Sequence, residues 1–179
     1  MRNEREWEIN AVKKVAEIMC ASARTAPKAK GIDNIETLIL GEEQKEMVID
    51  EMRRIAEEEK VGTMRNTFLR DANNLKDSHR VVIIGTKLKT IGIPYCGYCG
   101  FHDCKACKDA EGICFFNSND LGIAVGSAVS IAGLNHIDNR IMYTVGRAVV
   151  NLNLLEGDVK IALGIPLSVT GKSPFFDRG

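Results

Sequence analysis

At 179 residues, with 24 lysines and arginines balanced by 24 aspartates and glutamates, the chain is long enough for one buried core. It has no charge excess with which to hold nucleic acid or an anionic membrane surface. Met1 to Trp7 is charged where a signal peptide needs an apolar stretch, and no apolar run approaches the roughly 18 residues of a membrane span. The expectation is one cytoplasmic domain over residues 1–179, with neither nucleic acid nor membrane among its partners.

In chain order, Glu6 to Ala21 reads as an amphipathic helix, with Trp7, Ala11, Val15 and Ile18 on one stripe and Ile9, Val12, Ala16 and Met19 beside it. Ala21 to Gly31 is small, polar and broken by Pro27, which argues for a loop. Thr37 to Leu40 reads as a short strand. A helix starting at Gly41-Glu-Glu follows, with acidic residues in its first turn and Met47, Val48, Met52, Ile55 and Ala56 as its buried side. Asn66 to Ser78 reads as a polar helix, and Val81-Val-Ile-Ile-Gly85 as a strand covered on both faces. Asn119-Asp120 is placed as the N-cap of a helix from Leu121 to Leu134, so rich in glycine, alanine and serine that other backbones can pack closely on it. Ile141 to Leu155 is expected to be helical, and Val159 to Gly164 a last strand before Ile165-Pro-Leu.

Between the second strand and the glycine-rich helix, at about residues 94–116, lies what reads as a metal-binding insertion. Cys96, Cys99, Cys104, Cys107 and Cys114 are five of the chain's six cysteines. The two-residue gap between Cys96 and Cys99 suits two thiolate ligands of one metal or cluster. Gly97 and Gly100 each follow a cysteine, so the backbone can take positive φ there and turn amide groups toward sulfur. Cys107 lies one helical turn past Cys104, whereas Cys114 follows Gly112 and can close the site from a short excursion. Spacing alone leaves open an iron–sulfur cluster or a zinc held by four cysteines or by three with His102, since both accept tetrahedral thiolates. Tyr95, Tyr98 and Phe101 bracket the cysteines and can shield them, or simply cover a small core.

Other residues carry less. Cys20 sits among apolar neighbours like an inert core thiol, and His79 and His136 have no adjacent nucleophile. Asp120 and Asp138 suit N-caps better than general bases.

The element order, together with Ala26-Pro27-Lys28 before the first strand and Asp120 at the central helix, resembles the nitroreductase family of flavin proteins. Ala23 to Asp33, the cysteine block, Asp120 to Ser127, Asp138 to Tyr143 and Gly164 to Arg178 resemble more closely a group described as ferredoxin-domain-containing. Cys96, Cys99 and Cys104 also match the 4Fe-4S module Cys-Gly-x-Cys-Gly-x-x-x-Cys, whose later fourth ligand leaves Cys107 and Cys114 as alternatives. The resemblance implies an α+β fold with a mixed sheet flanked by helices, a homodimer, and an iron–sulfur electron-transfer protein or oxidoreductase working with a redox partner protein. It also implies flavin mononucleotide (FMN) held between a loop contributing Arg24, Thr25, Lys28 and Lys30 and a tail contributing Lys172, Ser173 and Arg178. The alternative reading is a zinc-stapled binding protein without enzymatic activity.

Overall fold

The apolar run Val81-Val-Ile-Ile84 shows no polar alternation, and all four of its side chains are fully buried. In the computed structural model, which describes residues 5–58 and 62–176, this run is the middle of the strand that carries the sheet. The elements are helix α1 (Arg5–Thr25), strand β1 (Ile35–Ile39), helices α2 (Glu42–Glu58) and α3 (Thr63–Lys76), strand β2 (Arg80–Lys87), helices α4 (Cys104–Asp109) and α5 (Phe115–Leu134), strand β3 (Asp138–Asn139), helix α6 (Tyr143–Asn151) and strand β4 (Val159–Ser168). A 3-10 turn over Ala29–Gly31 precedes β1.

The strand order is β1-β2-β4-β3, and every pairing is antiparallel. The α+β class holds, while the pairings are uniformly antiparallel where a mixed sheet was expected. Two helices separate β1 from β2, so the chain reverses an odd number of times and enters β2 against β1. Successive β2 side chains point to opposite faces. Val82 and Ile84 join α1 and α5 in one core with Val12, Met19, Leu121 and Ala128. Val81 and Ile83 join α2, α3 and α6 in the other, with Met52, Leu75 and Val149. No helix among the described residues is long and apolar enough to cross a membrane.

Several boundaries differ from the sequence expectation. Helix α1 continues to Thr25, and it buries Val12, Val15, Ala16, Met19 and Ala23 while Trp7 and Ile18 stay 70% and 50% exposed. On α2 the buried side includes Ile49 and Lys45, and Met47 is exposed. Helix α5 begins at Phe115, directly after Cys114, so Asp120 lies inside it instead of capping it. The Asp120 carboxylate accepts the Ala29 backbone N–H at 3.0 and 3.2 Å, drawing the loop after α1 onto α5. Asp138 belongs to β3, a two-residue strand too short to leave a sequence pattern.

β4 runs on through Pro166. Gly164 exchanges hydrogen bonds with Met142, so the imino nitrogen two residues later faces the same side, between the Met142 bridge and the Asn139–Leu167 pair. The ladder to β2 continues past it. Helix α6 spans only Tyr143–Asn151 and lies almost backbone to backbone on β4 at Gly146, where an added Cβ would collide with the Ala162 carbonyl. Gly146→Ala should therefore destabilise the protein by about 3 kcal/mol or more in urea denaturation, since neither backbone can give way. An unchanged midpoint would contradict this packing.

Candidate metal centre

The cysteine segment begins where β2 ends and closes where α5 starts, and buried polar side chains fasten those two points together. Asn117, only 2% exposed on the first turn of α5, donates through its side-chain amide to the Lys87 carbonyl at 3.3 Å and to that of Lys89. Its own oxygen accepts from the Asn34 amide at 3.0 Å, and the Lys87 N–H donates to the Asn34 carbonyl at 3.0 Å. Entry and exit are thus held to each other and to the start of β1.

Within the segment the chain turns at Gly97 (φ 60°) and Gly100 (φ 83°), the left-handed conformations expected of them. The Gly100 N–H donates to the Gly97 carbonyl at 2.9 Å, so that amide closes the turn and does not point at sulfur. Asp103 then caps α4, its carboxylate accepting the Ala106 N–H at 2.8 Å. That hydrogen bond is the chief reason its carboxyl titrates below the usual range. Cys104 opens α4, and Cys107 points inward from the same helix with no exposed surface. Gly112 gives the chain room to return beneath the Phe101 ring, which would clash with any Cβ there. Cys114 is the residue before α5, at the N-terminus of a 20-residue helix.

All five cysteines line one cavity of about 290 Å³, together with Thr90, Gly92, Pro94 and Phe115. Burial, then a hydrogen bond with the Cys99 thiol and the neighbouring Cys114 and Cys104, pushes the Cys107 thiol up to about 11. Cys99, Cys104 and Cys114 thus all lie near Cys107, and Cys96 lines the same cavity. Among the described residues, no three His, Cys, Asp or Glu side chains stand in metal-holding geometry. All five cysteines in the segment are reduced thiols. His102 has a side chain 94% exposed and lies 3.5 Å from Asp103. Tyr95 lines the cavity yet is fully exposed, short of the shielding expected of it, whereas Tyr98 packs on Phe115 and Phe116 with ring centroids 5.4 and 6.0 Å apart.

The residues expected to hold a nucleotide fall differently. Arg24 donates to Asp33 at 2.6 Å and to the Ile35 carbonyl at 2.5 Å. Lys28 folds back on the end of α1, donating to the Arg24 and Ala26 carbonyls at 2.5 and 2.9 Å. Thr25 donates to the Ala21 carbonyl at 3.2 Å, and Lys30 reaches the Gly92 carbonyl at 3.3 Å, beside the cysteine segment. The Ser173 hydroxyl is buried with no partner among the described residues, Lys172 is exposed, and Arg178 lies outside the described residues.

Loop and tail are not brought together within one chain. The loop enters β1 at Ile35, opposite Thr86, while the tail leaves β4 past Leu167, opposite Arg80. The intervening stretch of β2 puts these points roughly 20 Å apart at 3.4 Å per residue. This separation was not visible in the sequence, because it depends on which end of β2 each neighbouring strand meets.

The sequence signature described as "Uncharacterized protein containing a ferredoxin domain (DUF2148)" matches residues 110–178. That span includes Cys114 and omits the other four cysteines of the cavity. A protein of Archaeoglobus fulgidus, described as an uncharacterized protein, is 40% identical over 185 aligned positions, covering 98% of this chain and 96% of that one. The chain belongs to this family of uncharacterized proteins containing a ferredoxin domain.

Solved structures supply the fold of the family member described here. A BluB-like flavoprotein from Clostridium difficile superposes with a TM-score of 0.58 at 17% identity, covering 89% of this chain and 81% of that one. An FMN-dependent nitroreductase from the same species gives 0.53 at 12% identity, covering 89% and 77%. Nitroreductase A from Vibrio parahaemolyticus gives 0.57 at 10% identity, covering 90% and 60%. The scaffold is nitroreductase-like.

Replacing Asn117 with Leu tests the fastening of the segment without touching a thiol. Loss of the amide leaves the Lys89 carbonyl and the Asn34 side chain without this partner in a part-buried place, while the Lys87 carbonyl keeps the Lys89 N–H at 2.9 Å, and the loss costs about 1–3 kcal/mol. Urea denaturation should show that loss, and no change would mean the network does not hold the segment's ends.

Proposed function

We propose that this protein is an iron–sulfur electron-transfer protein or oxidoreductase, with a 4Fe-4S cluster held in the cavity of the cysteine segment. The observation that carries the reading is the convergence of five thiols on one cavity. Its volume of about 290 Å³ leaves room beside the thiols for a multi-atom body. The ferredoxin description of the family supports the same reading.

Cys96, Cys99 and Cys104 are the proposed first three ligands, from their spacing. Cys114 is the proposed fourth, because its place at the start of α5 stabilises negative charge on sulfur. Bound there, a cluster would supply single-electron transfer. The chain's own part is to fix the segment's ends through Asn117, to bury Cys107 and Cys114, and to pack Tyr98 edge-to-face with Phe115 and stacked on Phe116 at the cavity's edge.

Serine at position 96, 99, 104 or 114 should remove most iron and acid-labile sulfide from anaerobically purified protein, whereas Cys107→Ser should retain both. Full iron in Cys99→Ser would overturn the reading. A colourless wild-type protein with one zinc per chain would favour the zinc-stapled alternative.

The scaffold's likeness to flavoproteins supports a second cofactor, FMN, and a homodimer is part of the same proposal. One face of α5 exposes Gly122, Gly126 and Gly133, with nothing within 4 Å of a Cβ built on any of them, and Leu134 beside them is 76% exposed. Exposed Trp7 and Ile18 on α1 add apolar surface that one chain leaves uncovered. A second copy would cover these faces and could set the tail of one protomer against the loop of the other, which one chain alone does not do. Gly126→Leu should leave the fold intact and shift light scattering from dimer to monomer. A wild type that is monomeric at micromolar concentration would contradict the assembly.

A further inference from the structure

A second cavity, of about 580 Å³, opens beside the cysteine cavity and shares Thr90 with it. Its walls come from the strand-to-segment junction (Lys89, Thr90), from α4 and the turn after it (Lys108, Glu111), and from the start of β4 (Asp158, Lys160). That volume falls within the range of small-molecule sites, roughly 300–1,000 Å³.

Its charge has a definite sign. Asp158 is paired with Lys160 at 3.2 Å, and the ammonium groups of Lys89 and Lys108 have no carboxylate partner among the described residues. Glu111 offsets one of them, and one positive charge is left over on a concave surface whose charged residues are all exposed. Behind this cavity lies a small void that shares Leu88 and Lys160 with it and Cys114 with the metal centre. The Thr86 hydroxyl borders this void, only 3% exposed and with no hydrogen-bond partner. An unpaired buried hydroxyl costs free energy unless something reaches it.

We propose that this cavity binds a small oxyanion-bearing molecule, a carboxylate or a phosphate, next to the cysteine centre. Lys89 and Lys108, both in its wall, supply the charge-assisted hydrogen bonds. Position gives the site its interest. Lys108 follows buried Cys107 directly, so a ligand held there would lie one thin wall from any electron carrier in the thiol cavity. The binding claim stands on the cavity alone, while a redox role for the ligand would rest on the cluster reading.

Isothermal titration calorimetry on the full chain, purified anaerobically, tests the proposal with inorganic phosphate and with succinate as separate probes. At least one should bind with one-site stoichiometry, and the probe that binds tells phosphate from carboxylate. The double variant Lys89→Gln with Lys108→Gln should weaken that binding about tenfold or more. Lys105→Gln, which removes a lysine already paired with Asp109 at 2.5 Å, should leave it unchanged. Failure of both probes to bind, or equal binding by the double variant, would overturn the site. Iron is assayed in the same samples: anion binding without iron would remove the cluster reading and keep this one.

Discussion

The hold that Asn117 exerts across the mouth of the cysteine segment is the constraint on which the functional end of the molecule depends. Between Lys89 and Cys114 the chain makes tight turns and one six-residue helix, with too little apolar side chain to form a core of its own. Such a stretch wanders unless its ends are fixed, since each ordered residue costs roughly 1–2 kcal/mol of backbone entropy. Asn117 and Asn34 tie those ends to the last turn of β2 and the first of α5. Both of those elements are anchored by fully buried residues on the shared sheet. The rigid scaffold thereby delivers Cys114 at a helix N-terminus and faces it with α4.

The same arrangement sets where reactive chemistry can and cannot sit. Lys30 and Asp120 bring the loop after α1 to the cysteine end of the sheet, whereas the tail past β4 leaves at the other end. Arg140 donates to the Phe175 carbonyl at 2.9 Å and lies 5.4 Å from the Phe176 ring, fastening that tail near the start of α6. The loop after α1 and the tail past β4 thus lie at opposite ends of β2.

Much of this was legible in the residues. The fully apolar Val81–Ile84 run could only be a covered strand, and the dense cysteines marked one segment, whose thiols the structure gathers around a single cavity. What escaped notice was decided by tertiary partners. Asp120 looks like an N-cap, but its carboxylate is spent on the Ala29 N–H, and the helix starts a turn and a half earlier at Phe115. Trp7 and Ile18 look like core because α1 is apolar on more than half its circumference, and the sequence cannot say which stripe meets the sheet. The lysines and arginine before β1 suggested a phosphate cradle. Within the chain, Arg24 and Lys28 close the end of α1 and the turn that follows, a role that local hydrogen bonding conceals from sequence spacing. Asn117 carried no motif at all; a lone asparagine three residues after a cysteine signals nothing until its amide is seen between two carbonyls.

Electron paramagnetic resonance during a stepwise reduction of anaerobically purified, full-length protein tests the central claim most directly. A 4Fe-4S cluster in the thiol cavity predicts brown protein that takes up one electron per chain and develops the signal of a reduced half-integer-spin cluster, lost again on reoxidation. Colourless protein that shows no signal in either state and carries one zinc per chain would contradict it.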